Sequence, residues 1–300
     1  MSFASQVKEE LCRGRISQRC CAQAEAFGVL LYCNRFDPRQ IRIVTESPAF
    51  ALRLPGLFRR AFAVSFDGRS APDAPGKQIL TVSRPEALSI IWERCAFNPL
   101  APTHHINFGL LEETHCRLSF LRGAFLAGGA VTDPRKGYHL ELSTTHFSVS
   151  RELAVLLGEL GYAPKQTVRK SNYINYFKQS EAIEDLLTAI GAPVSAMELM
   201  NAKAEKLLRN GVNRRVNCEA ANVDKTVDAA MEQRRAIQAL QAAGRLETLS
   251  PKLQEAARLR EANPELSLSQ LAALCDPPVT KSSLNHRLRK LIDLSKEDPS

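Results

Sequence analysis

The sequence lacks any long apolar run, which argues against a membrane-spanning helix. Residues 1–10 include Lys8, Glu9 and Glu10 and contain no apolar stretch of the kind that a secretory signal requires. We therefore expect a cytoplasmic protein with no membrane partner.

A regular cysteine framework is also missing. The 8 cysteines are irregularly spaced, and several lie in apolar helical patterns where a thiol packs as a small apolar group. Cys95, His104, His105, His115 and Cys116 could supply metal ligands, but no Cys-x2-Cys or His-x3-His pair sets the geometry that zinc requires. We expect structural thiols, no metal site and no cofactor.

Acidic residues are fewer than basic residues. The 300 residues carry 40 Lys and Arg against 32 Asp and Glu, a net charge of +8. Such an excess favours a polyanionic partner, because Lys and Arg release counterions when they neutralise phosphates. A solvated surface explains the charge equally well until a fold is known. The length allows two or three hydrophobic cores, so we expect several domains.

An internal duplication is the most informative pattern in the chain. Residues 20–95 and 115–190 show the same order of predicted elements at an offset of about 95: helix, strand, helix, strand, strand, helix. The first helices, residues 22–33 and 118–129, are apolar and rich in small residues. Residues 41–45 and 138–142 alternate in polarity as strands do. The pattern predicts two equivalent halves.

These duplicated αββ-type halves resemble the LAGLIDADG homing-endonuclease fold. The segment Leu121-Arg122-Gly123-Ala124-Phe125-Leu126-Ala127-Gly128-Gly129 resembles a decayed copy of the motif that names that family. An active nuclease of this type has an acid at the penultimate motif position, where this chain has Gly128. The corresponding position of the first half falls near Cys33.

Phosphodiester cleavage of this kind requires carboxylates that hold Mg²⁺, and neither Gly nor Cys supplies one. We therefore predict no nuclease activity, while the small residues keep the role of letting two helices pack closely. A metal-dependent nuclease that recruits Asp133 or another acid is the alternative, although Thr132-Asp133-Pro134 is typical of a turn.

The C-terminal third is predicted to be helical. A helix over residues 188–209 leaves the core, and residues 210–222 are rich in Asn and Arg, which suits turns, caps, phosphate contacts or a linker. A helix over residues 224–243 ends at Gly244. Three more helices follow: one capped by Ser250, a short one opened by the capping-box pattern Ser267-Leu268-Ser269-Gln270, and one capped by Thr280.

The last of these helices separates into two faces and is typical of a recognition helix in a helix-turn-helix. Leu284, Leu288, Leu291 and Ile292 lie on the inward side. Ser282, Asn285, His286 and Arg289 lie opposite and can read base edges, and Lys281, Arg287 and Lys290 suit phosphates. The predicted DNA-binding residues are Thr280, Lys281, Ser282, Asn285, His286, Arg287, Arg289 and Lys290, with Arg169, Lys170, Arg209, Arg214 and Arg215 as candidate contacts to the DNA backbone.

The motif at residues 121–129, the Arg and Asn pattern at residues 209–222 and residues 280–291 together resemble the WhiA family over nearly the whole chain. Ser283 departs from the Gly usual in that family. The resemblance implies an α+β protein: a pseudo-symmetric duplicated LAGLIDADG-like domain, inactive as a nuclease, and an all-α helix-turn-helix domain. It places the halves at 1–110 and 111–210, a linker at 211–222 and the helix-turn-helix domain at 223–300.

The same resemblance implies a DNA-binding transcription regulator of cell division and chromosome segregation, or of sporulation in actinobacteria. Its expected partner is double-stranded DNA, with other transcription or division proteins as further partners, and its expected location is the nucleoid. A nucleoid-associated protein that acts through division partners, with DNA binding serving only for localisation, remains the alternative.

Overall fold

The structure is a computed structural model that describes residues 2–16, 18–70, 76–101 and 103–297, without the side chains of residues 219–221. The chain divides into two compact units, Met1–Leu207 and Leu208–Ser300. Within the described residues, no helix is both long enough and apolar enough to cross a membrane.

The first unit contains the predicted duplication, preceded by α1 (Phe3–Arg13). Its halves have sheets of the same topology, ordered β1-β2-β4-β3 and β5-β6-β8-β7, with all neighbouring strands antiparallel. The first half consists of α2 (Arg19–Tyr32), β1 (Arg35–Asp37), β2 (Gln40–Thr45), α3 (Pro48–Phe62), β3 (Gly68–Arg69), β4 (Gln78–Val82) and α4 (Pro85–Cys95). The second half consists of α5 (Thr114–Gly128), β5 (Gly129–Val131), β6 (Leu140–Thr144), α6 (Phe147–Glu159), β7 (Lys165–Arg169), β8 (Asn172–Phe177) and α7 (Ser180–Ile190).

Each half has one strand more than the sequence pattern predicts. The extra strands, β1 and β5, follow directly after the central helices α2 and α5 and are three residues long. Three residues are too short to show the alternation by which a strand is recognised in a sequence. The predicted strand at residues 138–142 also lies two residues further along, as β6.

The central helices α2 and α5 pack with their backbones in close approach at two glycines. A Cβ placed on Gly28 would lie 2.2 Å from the Phe120 carbonyl oxygen, and one on Gly123 would lie 2.0 Å from the Glu25 carbonyl oxygen. Only glycine fits at either position, because the obstructing atoms belong to the backbone. The small residues of the motif therefore retain the predicted packing role.

A single helix, α8 (Pro193–Ala242), crosses from the first unit into the second. The expected helix over residues 188–209 is wrong at its start, because α7 ends at Ile190 and is followed by Gly191, whose φ of 105° breaks the helix. The turns that the Asn-rich residues 210–222 suggested are also absent from the described backbone, which is helical there. Asn and Gly each cost at most about 1 kcal/mol in a helix, and helical segments on both sides offset that cost.

The second unit packs α9 (Pro251–Ala262), α10 (Leu268–Ala273) and α11 (Lys281–Lys296) against the end of α8. The capping box at α10 is confirmed: Ser267 Oγ accepts from Gln270 N–H, and the Gln270 side chain accepts from Ser267 N–H. Its core consists of buried apolar side chains from all four helices, together with Cys275 just after α10: Ile237, Leu240, Leu253, Ala256, Ala257, Leu271, Ala272, Cys275, Leu284, Leu288 and Leu291.

Candidate DNA-binding site

Helix α11 is held at its start by a cap and along its length by a buried stripe. Thr280 Oγ1 accepts a hydrogen bond from Ser283 N–H at 3.2 Å, as an N-cap does. Leu284, Leu288 and Leu291 are each 1% exposed or less. Anchored in this way, α11 presents a fixed outer face.

That outer face carries most of the predicted base-reading and phosphate-binding residues. Asn285 and Arg287 are half-buried, whereas the other predicted residues are exposed. They are amide, hydroxyl, imidazole and cationic groups, which supply both donors and acceptors to base edges. The exposed residues are Thr280, Lys281, Ser282, His286, Arg289 and Lys290.

Arg287 differs from the other predicted residues of α11. Its Nη1 donates to Glu255 Oε2 at 3.1 Å, and its side chain is only 16% exposed. The other oxygen of Glu255 accepts from Asp276 N–H at 2.8 Å, in the turn before α11. This side chain therefore joins α11 to α9 and is less available than its neighbours, and the phosphate role of Arg287 stays a prediction.

Arg169 and Lys170 lie at the hairpin between β7 and β8. Lys170 and Ser171 both have positive φ, 49° and 65°, as a two-residue hairpin turn requires. Arg169 Nη2 donates to Glu141 Oε1 at 2.7 Å. Burial alone would raise the pKa of Glu141, but hydrogen bonds from His139 and Arg169 outweigh it and lower that pKa. Arg169 is therefore partly neutralised, and Lys170 is the more available cation.

Arg209, Arg214 and Arg215 are exposed on α8. A described contact between α8 and the end of α11 joins Glu232 to Lys296, at 3.4 Å. Arg215 lies 17 residues before Glu232, which is about 25 Å along a helix axis. These three arginines are therefore well separated along α8 from that contact.

The two motif positions at which an active LAGLIDADG nuclease would carry acids, Gly128 and Cys33, lie at the C-terminal ends of α5 and α2. A Cβ at Gly128 would meet the Ser143 carbonyl oxygen at 2.5 Å, so no longer side chain fits without movement. Cys33 donates to the carbonyl oxygens of Leu30 and Arg35, and burial raises the pKa of its thiol to about 12. Asp133 accepts from Arg135 N–H at 2.9 Å within a turn, as its sequence context indicates.

The metal ligands considered in the sequence do not form one group. Cys95 is buried, His104 donates to the Phe36 carbonyl oxygen, and His105 pairs with Glu152. His115 and Cys116 lie instead beside Cys20 and Cys21, a grouping that the sequence analysis missed. The signal was present, since the offset of 95 that relates the two halves also relates Cys20 to His115.

The duplicated sheets, the glycine-packed central helices and the helix-turn-helix define the class: a LAGLIDADG-fold protein that carries a helix-turn-helix domain. Family models described as the WhiA LAGLIDADG-like domain and the WhiA C-terminal HTH domain match residues 117–209 and 212–295. The chain belongs to the WhiA family.

Relatives of similar length support this assignment. A protein of Ruminiclostridium cellulolyticum named "Probable cell division protein WhiA" is 37% identical, over 98% of this chain and 97% of its own. One of the same name from Desulforudis audaxviator is 36% identical, over 97% and 96%. The crystal structure of full-length WhiA from Thermatoga maritima covers 100% of both chains with a TM-score of 0.61 and 24% identity, which shows a shared fold.

Proposed function

We propose that this chain is a DNA-binding transcription regulator that acts in cell division and chromosome segregation and does not cleave DNA. The observation that carries the proposal is the exposed polar and cationic face of α11 opposite a buried leucine stripe. A helix anchored in this way is suited to enter the major groove. The relatives' printed name supports the link to cell division.

Within this proposal, residues 223–300 recognise DNA and residues 211–222 connect them to the two LAGLIDADG-like halves, 1–110 and 111–210. Ser282, Asn285, His286 and Arg289 contact base edges, whereas Lys281 and Lys290 contact phosphates. Thr280 contributes through its cap, which orients the first turn of α11. Lys170 in the first unit, and Arg209, Arg214 and Arg215 on α8, are proposed additional contacts to the DNA backbone.

The side chains at the two motif positions support the proposal that this chain does not cleave DNA. The two motif positions offer Gly128 and the thiol of Cys33, and neither supplies the hard oxygen ligand that Mg²⁺ prefers. Among the described residues, the one grouping with potential metal ligands contains three cysteines and a histidine and no carboxylate. Two-metal phosphodiester cleavage requires carboxylates that hold the metal ions, and neither the motif positions nor this grouping supplies one.

The decisive experiment selects genomic fragments with the full chain and then measures their binding by fluorescence anisotropy. Asn285→Ala combined with Arg289→Ala should weaken specific binding by about 30-fold or more, because each of the two lost bidentate contacts costs about 1–3 kcal/mol. Arg94→Ala, at an exposed position of α4, is the matched control and should leave binding unchanged. Unchanged specific binding in the double variant would refute the assignment of α11.

Cleavage is tested on supercoiled plasmid with Mg²⁺ present. We expect no nicking by the wild-type chain above the level of a protein-free control. Nicking that requires Mg²⁺ and disappears in Asp133→Asn would establish the nuclease alternative.

The link to transcription is tested by comparing genome-wide occupancy with transcript levels after depletion. A regulator changes transcripts of genes next to its sites. Occupancy at many sites without nearby transcript changes would favour a nucleoid-associated protein that acts through division partners.

A further inference from the structure

Four potential metal ligands meet at the N-terminal ends of the two central helices. Cys20 and Cys21 lie in the first turn of α2, and His115 and Cys116 lie in the first turn of α5. Their three sulfur atoms and one ring nitrogen all lie within 4.8 Å of one another. We call this group the CCHC cluster.

The spacing of the CCHC cluster approaches that of a tetrahedral zinc site. Zn–S bonds of about 2.3 Å and Zn–N bonds of about 2.0–2.1 Å place neighbouring ligand atoms about 3.6–3.8 Å apart. Cys20 Sγ and His115 Nε2 already lie 3.6 Å apart. No two of these ligand atoms lie more than 4.8 Å apart, so the widest separation needs to shorten by about 1 Å, a distance that side-chain rotation can supply.

The cluster follows the internal symmetry of the first unit. Cys20 and His115 are 95 positions apart, as are Cys21 and Cys116, and as are the packing glycines Gly28 and Gly123. Each central helix therefore contributes two ligands from equivalent positions. An ion held by all four would lie on the pseudo-two-fold axis, between α2 and α5.

The cluster is also distinct from the ancestral nuclease site. The degenerate acid positions lie at the C-terminal ends of the same helices, near Cys33 and Gly128. Helix α2 has 14 residues, so its two ends are about 20 Å apart. A metal at the CCHC cluster would not restore the lost carboxylate chemistry.

We propose that Cys20, Cys21, His115 and Cys116 bind one zinc ion that fastens the start of α2 to the start of α5. Three thiolates and one imidazole are a donor set that zinc prefers over the hard cations Mg²⁺ and Ca²⁺. All four coordination positions are filled by protein, which makes the site structural and leaves no place for a reacting water. Cys20 and His115 are exposed, so the ion can enter from solvent, whereas Cys116 forms the buried base.

The proposal is tested by measuring metal content and coordination in the reduced full-length chain. Elemental analysis after gel filtration should find about one zinc per chain. The chain reconstituted with Co²⁺ in place of zinc should show visible d–d bands of tetrahedral geometry and a thiolate-to-cobalt charge-transfer band. Cys20→Ser and His115→Ala should each weaken zinc binding by at least about 100-fold, because even outer-shell changes cost about 10- to 100-fold.

A matched control and a stability readout keep a folding defect from being mistaken for lost binding. Cys218→Ser removes an exposed cysteine from the second unit and should retain the zinc. Trp92, the one tryptophan of the chain, reports unfolding of the first unit. Chelation of zinc should lower the wild-type melting temperature by about 5 °C or more and should leave that of Cys20→Ser and His115→Ala unchanged.

Three results would overturn the proposal. One is a reduced, folded chain that binds no stoichiometric zinc and gives no tetrahedral cobalt spectrum. Another is zinc binding that survives both Cys20→Ser and His115→Ala. The third is a disulfide within the cluster, detected by mass in the absence of reductant, in a chain that still takes up no zinc after reduction.

Discussion

Two glycines set how closely the central helices approach. Because a Cβ on Gly123 would lie 2.0 Å from the Glu25 carbonyl oxygen, Gly123→Ala forces α2 and α5 apart. We expect a loss of about 1–3 kcal/mol, the usual range for overpacking, measured by urea unfolding followed through Trp92 fluorescence.

The control for this prediction is Gly56→Ala in α3, an exposed helical glycine at which an added Cβ would meet no atom within 4 Å. Here alanine should stabilise the first unit by about 0.5–1 kcal/mol, because it reduces the entropy of the unfolded chain. Equal effects of the two substitutions would contradict the close-packing role of Gly123.

Two histidines of the first unit face each other across 4.6 Å between ring centroids, His104 and His146. Burial, and then the neighbouring His104, lower the pKa of His146 to about 4. Burial lowers the pKa of His104 as well, despite its hydrogen bond to the Phe36 carbonyl oxygen. Both rings are therefore neutral in the folded protein at pH 7.

This arrangement makes the first unit sensitive to acid. An unfolded imidazole binds a proton near pH 6.5, whereas folded His146 binds one near pH 4, so unfolding takes up protons between these values. Stability is fully present above about pH 6.5 and is lost as the pH falls towards 4. We expect His146 to contribute about 1–2 kcal/mol to that loss, since solvent partly screens the site.

The measurement is urea unfolding by Trp92 fluorescence at a series of pH values. His146→Gln should flatten the pH dependence between 6.5 and 4, and His286→Gln in the second unit should not alter it. If the free energy of unfolding depended on pH as steeply in His146→Gln as in the wild-type chain, groups other than His146 would be responsible for the acid sensitivity.

At the scale of helices, Glu255 joins three parts of the second unit. It accepts from Asp276 in the turn and from Arg287 on α11 while lying on α9. Glu255→Gln keeps the shape of the side chain but removes its charge. We expect the free energy of local opening of α11 to fall by about 1–2 kcal/mol. Hydrogen exchange of peptides from residues 281–296 should rise about 5- to 30-fold.

Glu265→Gln, at an exposed position, is the control for that experiment. Arg287→Ala should raise exchange in α11 in the same way as Glu255→Gln. If Arg287→Ala instead left exchange unchanged and weakened DNA binding, the predicted phosphate role of Arg287 would be supported.

The helices and caps of the second unit were predictable because their signals are local. Ser267 and Gln270 are three residues apart, and Thr280 directly precedes its helix, so each cap can be read from neighbouring residues. The helix through residues 210–222 was missed because its Asn and Gly content opposes the assignment, while propagation from flanking segments decides the outcome. The Arg287–Glu255 pair spans 32 positions, and the residues alone do not indicate that the two side chains meet.

The CCHC cluster was missed for a different reason. The pair Cys20-Cys21 lies far in sequence from the pair His115-Cys116, and neither pair has the spacing of a zinc motif. They meet only because the duplicated helices pack around a pseudo-two-fold axis. A repeat offset, once found, can therefore be used to search for ligand pairs that a local motif does not reveal.

For the whole molecule, the effect of the net charge of +8 on DNA binding depends on which cations contact phosphates. Each lysine that contacts a phosphate adds about 0.9 to the slope of log K against log salt, because one counterion is released. Lys281→Gln and Lys290→Gln should therefore each lower the magnitude of that slope by about 1. Each should weaken binding to specific and to non-specific DNA to a similar extent. Asn285→Ala should weaken the specific site alone, since it removes a contact to a base.

Measurement of DNA affinity across a salt series separates these two kinds of contact. Arg94→Gln removes a charge from an exposed position of α4 and should leave the slope unchanged. If Lys281→Gln and Lys290→Gln changed the slope no more than Arg94→Gln does, neither lysine would contact a phosphate. The electrostatic part of binding would then have to come from other cations, and Lys170, Arg209, Arg214 and Arg215 would be the next to substitute.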